Sequence, residues 1–338
     1  MSATPGSVTA RPAEGQLRTP RPSSVDVTVL VPAKDEAENL PLFLEQAAVA
    51  FAACPGITFE VVVVDDGSVD DTWRILKELQ PAYPFLHLAR HRSRRGIGDA
   101  LRTGARLAHG DVLVFYPADL QYRPEEIPRL VAPILAGESD IVAGRKQGVY
   151  EKAFVSRVYN WLSRALFHVH VRDLNSVKAY RRHIMDVLPA RPDWHRYMIV
   201  VAAAYGFSVS EIPVPLYPRN AGRSKFGLGR IPVGVLDMLS VWFELRFARK
   251  PLLLFGMLGA ALFGLGALAG VVALATLWFR GVGIRAVWTI VQTCLIVGSV
   301  FFVGGLLGEM IAGQRSEIRE LRTQLSAEQS DYNSISDR

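Results

Sequence analysis

The chain has 338 residues, half of them hydrophobic, with 38 Lys and Arg against 32 Asp and Glu and a formal net charge of +6. That balance excludes a disordered polyelectrolyte, and only two cysteines exclude a disulfide-stapled scaffold. Mean hydropathy is +0.19, high for a water-soluble protein, and the apolar excess lies beyond Pro251.

Residues 1–24 are rich in Ser, Thr, Pro, Ala and Arg and lack the apolar core of a signal peptide, so they read as a disordered cytoplasmic tail. Residues 25–31 form an apolar strand that Pro32 is expected to end. Asp35, Glu36 and Glu38 then open a helix, acidic in its first turn, with Pro41 close by and a break at Pro55-Gly56. Residues 59–64 are continuously apolar, as a central parallel strand should be, and deliver Asp65-Asp66-Gly67-Ser68 to its carboxyl end. A helix follows Asp70-Asp71-Thr72, then a short strand over 85–89, the basic run from Arg90 to Arg95, and a helix over 97–109. Gly96-Ile97-Gly98-Asp99-Ala100-Leu101 puts Leu where a dinucleotide fingerprint needs its third Gly, and no phosphate-loop motif exists. Cys54 and Cys294 lack metal-ligand spacing and suit a reducing compartment.

Gly110-Asp111 leads into the strand Val112 to Tyr116, which stops at Pro117. Asp119 and Gln121 follow at an i, i+2 spacing, so in extended chain their oxygens point to one side and can converge on a hard cation. Beyond them come a helix opened by Pro124-Glu125-Glu126, a strand over 139–143, a helix over 152–167, and a strand or loop over 173–180. A helix from about Trp194 to Tyr205 precedes a strand over 210–216 that Pro213 and Pro215 mark as an edge, and residues 217–226 form a polar, flexible loop. His195 reads as structural, Arg196 as the better phosphate ligand, and the Arg90–Arg95 run as a solvated or membrane-facing surface.

Alternating strands and helices predict an α/β fold with a mostly parallel sheet. Ile231, Val235, Leu239, Trp242 and Phe243 recur at helical spacing and predict an interfacial helix. Residues 251–279 and 287–311 are long and apolar enough to span a bilayer, with basic residues flanking the outer ends, so both termini are expected in the cytoplasm. The expected organisation is a tail (1–24), an α/β domain (25–228), a juxtamembrane helix (229–250), a transmembrane hairpin (251–312) and a cytoplasmic tail (313–338).

Five segments in order carry a family likeness: Val31 to Leu40, Val63 to Thr72, Ala118-Asp119-Leu120-Gln121, Arg219 to Lys225, and Lys250-Pro251-Leu252 with Phe255-Gly256. With the hairpin, the chain resembles the family 2 glycosyltransferases of the polyprenyl-phosphate type, which include dolichol-phosphate mannose synthases and bacterial bactoprenol glycosyltransferases. The resemblance implies a GT-A domain (Rossmann-like) in the cytoplasmic membrane, inverting transfer of one sugar from a nucleotide-diphosphate sugar, with UDP favoured, to polyprenyl phosphate, and Mg²⁺ or Mn²⁺ as cofactor. It places Pro32, Ala33, Glu36, Asp65, Asp66 and Ser224 at the donor, with Asp119 and Gln121 at the metal and diphosphate. It has Arg219 and Lys225 closing over the phosphates, and Arg145, Lys152, Ser156 and Arg157 in the region used for the lipid phosphate. A homo-oligomer is expected, with a tetramer among its forms, together with membrane lipid and no nucleic acid. One departure is clear: the family pattern is Asp-x-Asp-x-Gln, and Pro117 stands at its first Asp. That departure keeps open a catalytically inactive scaffold of the same fold; a GDP-mannose-dependent synthase is the other alternative. A processive synthase would carry a Gln-x-x-Arg-Trp motif, which is absent.

Overall fold

The computed structural model describes residues 25–147, 171, 173–174, 176–188, 194–220, 231–247, 250–281 and 285–336. Seven strands form one sheet: β1 (Val27–Ala33), β2 (Phe59–Asp65), β3 (Leu86–Arg90), β4 (Val112–Phe115), β5 (Ile141–Gln147), β6 (Lys178–Arg181) and β7 (Val209–Pro215), in the order β3-β2-β1-β4-β6-β5-β7. The pairs β1–β2, β1–β4, β2–β3 and β5–β7 are parallel, while β6 runs antiparallel to both of its neighbours. Two antiparallel steps restore direction, so β4 and β5 end at the same edge as β1 and β2. This is the carboxyl edge, where open α/β sheets place their ligands.

Helices α1 (Leu40–Ala52), α2 (Thr72–Leu79), α3 (Ile97–Leu107), α4 (Ile127–Leu135) and α5 (Trp194–Ala204) cover the sheet. Strand side chains alternate between faces. Val27, Val29, Val31, Val61 and Val63 share one core with Phe43 and Leu44 of α1, Leu76 of α2 and Leu130 of α4. Leu30, Val62 and Val64 point the other way, against Gly104 of α3, where an added methyl would lie 3.1 Å from Leu30. Full burial of each such Val or Leu is worth about 1.5–3 kcal/mol, an upper bound because unfolded chains are partly collapsed.

Three local expectations are corrected. Pro32 does not end β1: it pairs with Val64, and the strand continues to Ala33. The Leu30 carbonyl accepts from Tyr116 on the β4 side, so the missing N–H of Pro32, two residues on, faces the same side, where β4 has already stopped at Phe115. The acidic residues 35–38 do not form a first helical turn, because α1 begins at Leu40, with Pro41 at its start. Asp35 sits at φ +54°, outside any helix. The strand expected over 139–143 runs instead from Ile141 to Gln147 and carries Arg145 and Lys146 along the sheet edge.

The chain divides into two compact units near Val235. Helices α6 (Ile231–Phe247), α7 (Pro251–Arg280) and α8 (Arg285–Ser336) follow the sheet. Spans of 29 residues in α7 and 34 in α8 are long and apolar enough to cross a membrane, and only 11% and 17% of their most apolar windows are buried. So much exposed apolar surface suits membrane-crossing helices better than core helices of a water-soluble domain. The α7–α8 contact relies on small residues: a methyl on Gly259 would lie 2.9 Å from the Gly298 carbonyl. Glu309 of α8 accepts the Leu252 N–H at 3.2 Å and so caps the start of α7, where Lys250 offers no side-chain cap. The end expected as a tail is helical as far as Ser336.

Candidate active site

The loops after β1, β2 and β4 meet at the carboxyl edge. The first two are laced together: Asp35 N–H donates to Ser68 Oγ (2.9 Å), Glu36 N–H to Thr72 Oγ1 (2.9 Å), and Val69 N–H to Asp35 Oδ1 (2.9 Å). Lys34 Nζ donates to Asp35 and to the Gly67 carbonyl. Besides Asp35, the only described non-glycine residue at positive φ is Leu120, at +56°, between Asp119 and Gln121. Strained backbone at the ends of two adjacent strands marks a site that the surrounding fold overdetermines.

Leu120 turns the chain so that Asp119 and Gln121 present their oxygens to one point. Arg219 Nη2 occupies that point, 3.0 Å from Asp119 Oδ2 and 3.2 Å from Gln121 Oε1. The loop is tied down by Tyr217 N–H to the Gln121 carbonyl and by Asn220 Nδ2 to Asn39 Oδ1, while Asn39 in turn donates to Glu36 Oε2 at 2.7 Å. Burial pushes the Asp119 carboxyl above the usual range, and the Arg219 guanidinium pulls against it. Two hard oxygens converging on one cationic nitrogen form a donor set that fits Mg²⁺ or Mn²⁺ when a diphosphate supplies further oxygens. Pro117 withholds the second carboxylate. A pocket of about 210 Å³ lined by Leu42, Gln46, Leu120, Arg123, Tyr217 and Asn220 flanks the loop but contains none of these oxygens.

Asp65 is fully buried. Its Oδ1 accepts the Ser68 N–H at 2.8 Å, whereas Oδ2 lies 3.0 Å from Arg90 Nε without a directed hydrogen bond. Asp65 Oδ2 is therefore a buried carboxylate oxygen balanced by the Arg90 charge and short of a full hydrogen-bond set. Asp66 differs. Its oxygens take His91 Nδ1 and the backbone N–H groups of Arg95 and Gly96, each at 2.8 Å, so it builds the loop before α3. Gly67 must be glycine, at φ +70° and with Ser93 only 2.8 Å from an added methyl.

Pro32 and Ala33 are the last two residues of β1, paired with Val64 and Asp65. Arg145 extends from β5 at the same edge, half-buried, and Lys146 beside it pairs with Asp173 at 3.5 Å. Ser224, Lys225, Lys152, Ser156 and Arg157 lie outside the described residues. His195 is buried and its imidazole pKa falls to about 3, through burial first and then the nearby Lys178 and Arg196 charges, so it is neutral at pH 7. Sequence reasoning missed Asn39 and Asn220, the relay joining Glu36 to the Arg219 segment. Both sit inside motifs it had quoted, but only the fold brings them to 3.1 Å.

Residues 28–183 match the family model described as "Glycosyl transferase family 2". The chain is 30% identical over 307 residues to an undecaprenyl-phosphate 4-deoxy-4-formamido-L-arabinose transferase of Pseudomonas fluorescens, covering 87% of this chain and 86% of that one. It is 28% identical to a dodecaprenyl-phosphate galacturonate synthase of Rhizobium johnstonii, over 86% and 88% of the two chains. The fold matches glucosyl-3-phosphoglycerate synthase from Mycobacterium tuberculosis, solved with Mn²⁺, UDP and glucosyl-3-phosphoglycerate, with a TM-score of 0.53 at 21% identity over 65% of this chain and 80% of that one. That match is to a GT-A fold.

Proposed function

The chain belongs to the family 2 glycosyltransferases of the polyprenyl-phosphate type, and from that premise we propose that it moves one sugar from a nucleotide-diphosphate sugar to the phosphate of a polyprenyl phosphate at a membrane. The relatives named above share a polyprenyl-phosphate acceptor and differ in the sugar, so the acceptor class is the better supported half of the reading. A UDP-sugar is favoured as donor, supported by the fold match that binds UDP with Mn²⁺.

The observation that carries the reading is the convergence of Asp119 Oδ2 and Gln121 Oε1 on Arg219 Nη2 at the carboxyl edge. In the transfer, a phosphate oxygen of the acceptor forms the new bond to the anomeric carbon as the bond to the diphosphate breaks, with inversion. The acceptor phosphate is already ionised near neutral pH, so no strong general base is required. What the chain must supply is positive charge where the leaving diphosphate develops its own. Asp119 and Gln121 would hold Mg²⁺ or Mn²⁺, which neutralises diphosphate charge when bound. Arg219 would exchange its carboxylate partner for diphosphate oxygens, and Ser224 and Lys225 would contribute further donors to the phosphates. Asp65 Oδ2 and Glu36 receive donor groups of the nucleotide, Pro32 and Ala33 line its bed, and Asp66 holds the neighbouring loop. Arg145, with Lys152, Ser156 and Arg157, orients the lipid phosphate. The catalytic unit and both termini lie on the cytoplasmic side of the inner membrane, and the protein works as a homo-oligomer.

Full-length protein in detergent or nanodiscs, given a panel of UDP- and GDP-sugars, undecaprenyl phosphate and Mg²⁺ or Mn²⁺, should form one polyprenyl-phosphate sugar. Transfer from GDP-mannose alone would select the mannose-synthase alternative. No transfer and no donor hydrolysis with any sugar would favour the inactive scaffold that Pro117 keeps open.

A further inference from the structure

Glu60, the second residue of β2, stands at the amino edge of the sheet, five residues before Asp65 and so about 16 Å from the acidic site at the rise of a strand. Glu60 is a carboxylate with 3% of its side chain exposed, and two histidines reach it from other elements. His87 of β3 brings Nε2 to 3.3 Å from Oε2, and His109, in the connection from α3 to β4, brings Nδ1 to 3.0 Å from the same oxygen. His87 is registered with Val62, two residues along from Glu60, which puts both side chains on one face.

We propose that Glu60, His87 and His109 form a binding site for a borderline divalent cation, zinc by its donor set, separate from the metal position at Asp119 and Gln121. Tetrahedral zinc with ligands at about 2.0–2.1 Å has ligand–ligand edges of about 3.3 Å. The His87 separation, 3.3 Å, has that length and the His109 separation, 3.0 Å, is slightly shorter; all three ligand atoms lie within 4.8 Å of one another, so the exposed imidazoles would draw together on an ion. The carboxylate is also held from behind. Its Oε1 accepts from Thr28 Oγ1 and from the His109 N–H, and Thr28 Oγ1 accepts the Gly110 N–H at 2.9 Å. Such outer hydrogen bonds orient a ligating carboxylate, and a metal at Oε2 would replace the hydrogen bond that His109 Nδ1 makes there. The histidine side chains are 45% and 64% exposed, which gives the ion an entry path and leaves a fourth position to water. Two imidazoles select zinc over magnesium, whereas the oxygen pair at Asp119 and Gln121 selects the harder ions. A bound ion would tie β2, β3 and the α3–β4 connection together, so occupancy should raise thermal stability.

The test uses full-length protein in detergent, purified by an affinity tag free of histidine and stripped with chelator. Titration with Zn²⁺ should show one saturable site that raises the melting temperature. Co²⁺ should give the intense visible bands of four-coordinate geometry. His87→Ala and His109→Ala, both at exposed side chains, should each weaken Zn²⁺ binding tenfold or more, while Asp119→Ala leaves it unchanged. Absence of saturable Zn²⁺ binding up to 1 mM, binding indifferent to both histidine changes, or binding lost in Asp119→Ala would overturn the proposal.

Discussion

Asp119 stands between two opposed influences, a burial that favours its neutral form and an arginine that favours its charged one. In the proposed mechanism its working form is the carboxylate, since a proton would take the place of the cation. The folded pKa lies above the ordinary value, so acidification should begin to cost activity at a higher pH than an exposed aspartate would dictate. Arg219→Gln removes the downward pull, so the acid limb of its own pH–rate profile should move further up. Asp119→Ala should lower the turnover number by about 10²-fold or more, the scale of losing a preorganised charge contact; steady-state transfer assays check both. Lys178 offers a separate test. It is fully buried on β6, donates to the Leu174 and His195 carbonyls, and burial lowers its pKa to about 7. Between about pH 7 and 10 the unfolded chain holds a proton there that the folded one has released. Stability therefore rises with pH across that window, by an amount on the order of a few kcal/mol. Melting curves of Lys178→Met should show a flatter pH dependence there than those of the unaltered protein.

Among the elements, the turn that feeds β4 is the most constrained. A methyl on Gly110 would lie 2.6 Å from the Thr28 backbone nitrogen, and no side chain rotation relieves that contact. Gly110→Ala should destabilise the protein by about 2 kcal/mol or more, measured by denaturant unfolding, and shift β4 together with the Asp119 turn it carries. At the start of α7, Glu309 supplies the cap that Lys250 lacks. Its loss in Glu309→Ala should cost about 1 kcal/mol in a detergent melt, and Glu309→Gln, which keeps an acceptor oxygen, should recover most of that. Element type was legible because apolar runs of four to six residues between Gly, Pro and Asp clusters can be little else than strands of a covered sheet. Boundaries were less so. Pro32 looked like a strand end because its fit depends on β4 stopping at Phe115, a fact of pairing and not of local sequence.

For the whole molecule, the basic residues outside the two spans predict a hairpin with its turn on the far side. Single cysteines placed at residue 282 and near either terminus, in a background where Cys54 and Cys294 are replaced, should label from opposite sides of sealed vesicles. Labelling of all three from one side would reject that orientation. The α/β class and the two spans are legible in local sequence, because periodicity and span length are local properties, and the Asp119–Gln121 and Arg219 motifs through their resemblance to the family. Long-range pairing is what runs β6 antiparallel between β4 and β5 and so brings Arg145 to the same edge as Asp119. The assembled fold alone placed Arg219 on both oxygens across 98 positions of chain and gathered Glu60, His87 and His109 at the opposite edge. Strand order and side-chain convergence are long-range outcomes of packing the whole sheet, and no window of sequence contains them.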